Sequence, residues 1–90
     1  MNASKHWTVD IVLDERPGQR TTRAEARLHT GDPIDVRGVG RSWRNPSDPE
    51  LPEIGDELAV ARALSDLADH LRAVAAGDVE GFDDRASHGW

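Results

Sequence analysis

The fold class the sequence predicts is an α+β domain in the order β-β-β-α, a three-stranded antiparallel sheet with one long helix packed on one face. Three observations predict it. Residues 5–14 alternate apolar and polar side chains, the period of a half-buried strand. Two more alternating runs follow, each set off by proline and glycine. From Pro52 onward the apolar residues fall three and four apart, the period of an amphipathic helix.

In the first strand Trp7, Val9, Ile11 and Leu13 share one side, while His6, Thr8, Asp10 and Asp14 share the other. Val12 is the apolar exception on the polar side, which predicts that this side is partly covered. Asp14-Glu15-Arg16-Pro17-Gly18-Gln19 supplies turn chemistry, since proline presets φ and glycine accepts positive φ. The second strand, Arg20 to Thr30, sets Thr22, Ala24, Ala26 and Leu28 against Arg23, Glu25, Arg27 and His29. Its small residues leave room for Trp7 or for the helix. Gly31-Asp32-Pro33 makes the next turn. Ile34 and Val36 open the third strand, in which Gly38-Val39-Gly40 marks a bulge or a close backbone approach, and Trp43 closes it.

Between Arg44 and Pro52 each proline pushes its predecessor out of helical geometry, which predicts an ordered crossover. Pro52 suits a helix start, and Glu53, Asp56 and Glu57 complement the macrodipole there. Val60, Leu64, Leu67, Leu71 and Val74 form the stripe expected to dock on the sheet, and Gly77 is the expected stop. The domain is thus read as residues 5–77, with 78–90 a flexible tail that Phe82 and Trp90 could pin. With the helix over Trp7, Ile11 and Leu28, the opposite face presents Arg23, Arg27, Val12 and Arg37 or Arg41.

Ninety residues without cysteine make one thin core with no disulfide or thiolate staple. Packing or self-association must supply the rest, so a homodimer is expected. No apolar stretch approaches the roughly 18 residues of a membrane span, and the N-terminus lacks a signal peptide's pattern; the chain is read as cytoplasmic. The net charge of −6 is unevenly spread. Residues 1–45 carry eight Lys and Arg against six acids, and residues 46–90 carry three against eleven. Generic nucleic-acid binding is disfavoured by the total, while any anionic partner is directed to the first half.

Catalytic constellations are absent from the pattern. His6, His29, His70 and His88 lack metal-motif spacing, and Ser65 and Asp66 have no matching base. Gly38-x-Gly40 is followed by Trp43 where a dinucleotide motif needs a third glycine. No catalytic residue, cofactor, membrane contact or small-molecule substrate is assigned. Arg23, Arg27, Arg37, Arg41 and Arg44 are the candidate phosphate or RNA contacts, because arginines two or four apart on a strand share a face and bind phosphate bidentately. Glu25, Asp35 and Asp10 compete for them as cross-strand partners. Of the tryptophans, Trp43, beside Arg41 and Arg44, is the one expected to be exposed.

Taken together, His6-Trp7-Thr8-Val9-Asp10-Ile11, Ala24-x-Ala26-Arg27-Leu28, Gly38-Val39-Gly40-Arg41, Asn45-Pro46-Ser47-Asp48 and the run Pro52 to Leu67 resemble a family of small actinobacterial proteins. That family is a domain of unknown function with a double-stranded-RNA-binding-like fold, and the resemblance spans about residues 5–72. It implies a dimeric three-stranded sheet with a helix. Through members tied to hypoxia and dormancy and compared with ribosome hibernation factors, it also implies a stress role on the stalled ribosome. One departure matters: an RNA-binding domain of this kind places an N-terminal helix before its sheet and lysines at the start of its last helix. This chain has no such first helix pattern and places Glu53, Asp56 and Glu57 at the later position. Two readings follow. The first is a non-catalytic, dimeric stress-response protein binding the ribosome or RNA through its arginines; the alternative is a protein-interaction module that never touches nucleic acid.

Overall fold

A computed structural model of the chain describes residues 3–16, 18, 20–32, 35–44 and 52–86, with helical side chains described from Glu53 to Gly77. The elements are β1 (Thr8–Arg16), β2 (Thr21–His29), β3 (Val36–Trp43) and α1 (Pro52–Ala86). The strands form one antiparallel meander in the order β1-β2-β3, and α1 lies on one face of it. This is the expected α+β architecture. Pro17, Gln19, Pro33, Ile34, the crossover over 45–51, the Phe82 side chain and Trp90 lie outside the described residues.

Why α1 sits where it does is set by the smallest residues in the chain. Thr22, Ala24, Ala26 and Leu28 on β2 and Val36, Gly38, Gly40 and Ser42 on β3 share the face toward the helix. A Cβ placed on Gly38 would stand 2.2 Å from the Ala63 carbonyl oxygen, and one on Gly40 would stand 2.3 Å from the Ala59 carbonyl oxygen. Helix backbone therefore rests directly on strand backbone. The β2–β3 register runs without an inserted residue, so of the two readings of Gly38-Val39-Gly40 the close approach is correct and the bulge is not.

The core that results is Ala24, Ala26, Leu28, Val36, Ala59, Ala63 and Leu67, with Val60 and Leu71 packed at its margin. The helical line against the sheet is thus Ala59-Ala63-Leu67, not the stripe expected from size. Of that stripe only Leu67 is buried, and Leu64 and Val74 stay exposed. Close approach favours alanine over leucine at the contact, which rotates the large residues to its flanks. Ser42, buried among these groups, donates its hydroxyl to the Gly55 carbonyl at 2.8 Å.

The helix is also displaced sideways, touching β3 and β2 and hardly reaching β1. Trp7, at 58% exposure, is therefore not a core residue, and Val9, Ile11 and Leu13 are open as well. Val12 on the other face is uncovered too. A thin helix contact can span little more than two strands when backbone meets backbone, because no long side chains bridge outward to the third. Finally, α1 continues through Gly77 to Ala86; a glycine inside a helix is a modest cost and not a stop when flanking residues carry the helix on.

Candidate functional site

The face of the sheet away from α1 carries four of the five candidate arginines. Cross-strand register sets Asp10, Arg27 and Arg37 in one row and Asp14, Arg23 and Arg41 in another. Val12, Glu25 and Val39 lie in the row between. Glu25 is the hub. Arg23 Nη2 approaches its Oε2 at 3.3 Å, Arg27 Nε donates to its Oε1, and Arg37 Nη1 stands 3.8 Å away. Arg37 is also bidentate with Asp35, both bonds at 2.9 Å. The Arg27 hydrogen bond holds the Glu25 carboxyl below the usual carboxylate range, and the Arg37 hydrogen bond does the same for Asp35.

Three of the candidate arginines are thus engaged by carboxylates. Arg41 has no ion pair among the described residues, and it shares its face with Trp43, which is 69% exposed as expected. Arg44 falls on the other side of the alternation and is half-buried, its amide donating to the Arg20 carbonyl at 3.0 Å. It does not join the other four. Asp10 is met by His29 Nε2 at 2.9 Å.

The two edges of the sheet differ sharply. Along β3, the backbone groups that point away from β2 are met by side chains one helical turn apart on α1. Asp66 accepts the Val39 amide at 2.8 Å, Arg62 donates to the Arg41 carbonyl at 2.7 Å, and the His70 ring donates through Nδ1 to the Arg37 carbonyl. His70 Nε2 lies 3.6 Å from Asp66. Asp66, which sequence reasoning examined only as part of a nucleophile pair, is an edge cap. Its signal was the spacing of polar residues Arg62, Asp66 and His70 beside the apolar line.

Nothing comparable covers β1 among the described residues. Among the described residues its outer edge is open, its helix-side residues Val9, Ile11 and Leu13 are exposed, and α1 carries a shallow groove lined by Asp56, Glu57, Val60, Ala61 and Leu64. Unpaired strand backbone beside exposed apolar side chains is the arrangement by which sheets add a further strand.

At the end of that groove two acids meet. Asp56, opening α1, hydrogen-bonds Glu15 near the end of β1, and this bond, then the Asp56 charge, then burial, raise the Glu15 carboxyl above its ordinary range. Asp56 Oδ1 is buried without a hydrogen-bond partner among the described residues. A raised folded-state pKa contributes stability that is full below the unfolded value and is lost as pH rises through the folded value. At neutral pH the pair therefore opposes folding, unlike Glu25 and Asp35, whose lowered values contribute above the unfolded range and fail in acid. Asp56→Asn is expected to raise the thermal midpoint at pH ~7 and to lose that advantage near pH ~3, well below the ordinary glutamate value of ~4.3, where Glu15 binds its proton in either state. An equal shift at both pH values would count against the carboxyl pair.

Other chemistry-bearing residues stay apart. Among the described residues no three His, Asp or Glu side chains converge as a metal site would require, and no helix is long and apolar enough to cross a membrane.

The model of the family described as Rv2632c-like matches residues 5–88. A Mycobacterium bovis protein, Mb1767, is 51% identical over 76 residues, which cover 84% of this chain and 78% of that one. Rv2632c of Mycobacterium tuberculosis is 42% identical over 79 residues, 88% of this chain and 82% of its own. Both are described as uncharacterized proteins. A crystal structure of Rv2632c superposes with a TM-score of 0.79 at 40% identity, covering 89% of this chain and 92% of that one.

Proposed function

Because the chain belongs to the Rv2632c-like family along nearly its whole length, we propose one function for the fold as a whole: a non-catalytic homodimer that works as a protein-interaction module through the β1 side of its sheet. The contrast between the edges carries this reading. Asp66, Arg62 and His70 close β3, while among the described residues β1 keeps an open edge and exposed Val9, Ile11 and Leu13. A small domain whose described core holds no large, fully buried side chain gains most from covering that face.

The polar groups also support a non-catalytic role, since the best placed of them serve the fold. Asp66 and His70 hold an edge, and Glu25 holds arginines together. RNA or ribosome contact has less support, for Arg23, Arg27 and Arg37 already have carboxylate partners and Asp10 and Asp14 open their rows. It rests on Arg41 beside the exposed Trp43. Light scattering at micromolar concentration tests the main reading: a mass twice the 9.9 kDa of one chain is expected. The mass of a single chain would overturn it.

A further inference from the structure

We propose that the two copies join edge to edge, β1 pairing antiparallel with β1 of the second copy about a two-fold axis at Ile11, so that two three-stranded sheets become one. This rests on the homodimer reading above and adds its geometry. Arg37, Val39 and Arg41 turn their main-chain groups outward to α1 side chains. Their neighbours Gly38, Gly40 and Ser42 must then bond β2, and the Arg44 to Arg20 bond continues that alternation.

The same alternation carries across β2. Ala26, Ala24 and Thr22 face β3, so Arg27, Glu25 and Arg23 face β1 and bond Asp10, Val12 and Asp14. Val9, Ile11 and Leu13 are left with amide and carbonyl groups on the open edge. These are also the residues whose side chains lie exposed on the helix side. Backbone and apolar surface are therefore unsatisfied at the same three positions.

A two-fold axis through the sheet keeps each face on its own side, so only residues of like parity can oppose each other. Three registers use the strand well, centred on Asp10, Ile11 or Val12. Centring on Asp10 sets that carboxylate against its own copy. Centring on Val12 sets Asp10 against Asp14 twice. Centring on Ile11 opposes Ile11 with Ile11, Val9 with Leu13, Asp10 with Val12 and Thr8 with Asp14, and leaves no carboxylate nearer than a diagonal neighbour. Like charges directly opposite destabilise a pair, and apolar residues opposite one another stabilise it. β1 also lacks three of the devices that keep an edge solitary, since the strand TVDIVLDER holds no proline and no lysine and its register with β2 has no bulge; its charged residues Asp10, Asp14, Glu15 and Arg16 are the device it does carry.

The chain has no cysteine, which makes single-cysteine cross-linking unambiguous. Directly opposed residues of antiparallel strands lie about 4.5–5.5 Å apart at Cα, within the roughly 4.4–6.8 Å a disulfide accepts. Ile11→Cys is expected to form a disulfide dimer under mild oxidation, at least about tenfold faster than Val12→Cys. An equimolar mixture of Val9→Cys and Leu13→Cys should give the mixed dimer in preference to either self-dimer. All four sites are exposed, so the variants are expected to fold. Faster cross-linking through Val12, or none through Ile11 in a protein that scatters as a dimer, would overturn this register and leave the dimer standing; a monomer mass would overturn both. Amide exchange adds a check without mutation. The Val9, Ile11 and Leu13 amides should slow by about tenfold or more as concentration drives association, while those of Asp10 and Val12 do not change.

Discussion

Gly40→Ala is expected to destabilise the protein by about 3 kcal/mol or more, and Gly38→Ala by as much, an effect read directly as a lowered urea midpoint. The physical reason is backbone against backbone. At Gly40 the new methyl carbon would stand 2.3 Å from both the Ala59 carbonyl oxygen and the Ala63 amide nitrogen. At Gly38 it would meet the Ala63 carbonyl oxygen at 2.2 Å and the Leu67 amide nitrogen at 2.3 Å. No rotamer relieves such contacts, so the helix must lift from β3. Lifting it opens the alanine core and pulls Asp66, Arg62 and His70 from the edge they cap. A domain of this size is stable by about 5–13 kcal/mol in total, so the loss is a large share. Gly77→Ala is the control. A Cβ there meets nothing within 4 Å and α1 runs through it, so the same substitution should stabilise by about 0.5–1 kcal/mol. Equal effects at Gly40 and Gly77 would show that the helix does not rest on the strand.

These glycines show how far the sequence could be read. The three strands and the helix were legible because period-two and period-3.6 patterns report backbone geometry residue by residue, and Trp43 marked the end of the third strand correctly. The face of the helix was not legible from size. Val60, Leu64, Leu67, Leu71 and Val74 look like the docking stripe because burial usually follows area, yet contact distance decides here, and distance is set by glycines some 20 residues earlier. Reading Gly38 and Gly40 together with Ala24, Ala26, Ala59 and Ala63 as one small-residue contact would have found it. The exposure of Trp7 follows from the same cause: a helix seated so low reaches only two strands.

The candidate site divides in the same way. Alternation put Arg23 and Arg27 on one face and left Arg37 or Arg41 to the reading of Gly38-Val39-Gly40; the unbulged register brings in both and leaves Arg44 on the other side. That Glu25 would gather three of them depended on register, which a single strand does not carry. The capped β3 edge was harder still. It requires knowing that Val39 turns its amide outward and that α1 overhangs that side, both consequences of the assembled sheet.

The second large effect is expected at Leu67. Leu67→Ala should cost about 2–4 kcal/mol, the range for a buried leucine whose cavity closes only in part. Leu67 is 4% exposed and stands over Gly38, where its own backbone blocks any inward shift of β3. The neighbouring alanines have no side-chain length with which to fill the space. Leu64 and Val74 belong to the same sequence stripe but keep over 40% of their surface in water, so Leu64→Ala and Val74→Ala should each cost about 1 kcal/mol or less. Urea unfolding of the three variants, run dilute enough to keep association out of the measurement, separates the two pictures of the helix. If area in the stripe governed docking, the two leucine substitutions would cost alike. With small residues setting the contact, Leu67 alone carries the large penalty, and Leu64 affects the protein through whatever covers the exposed groove on α1.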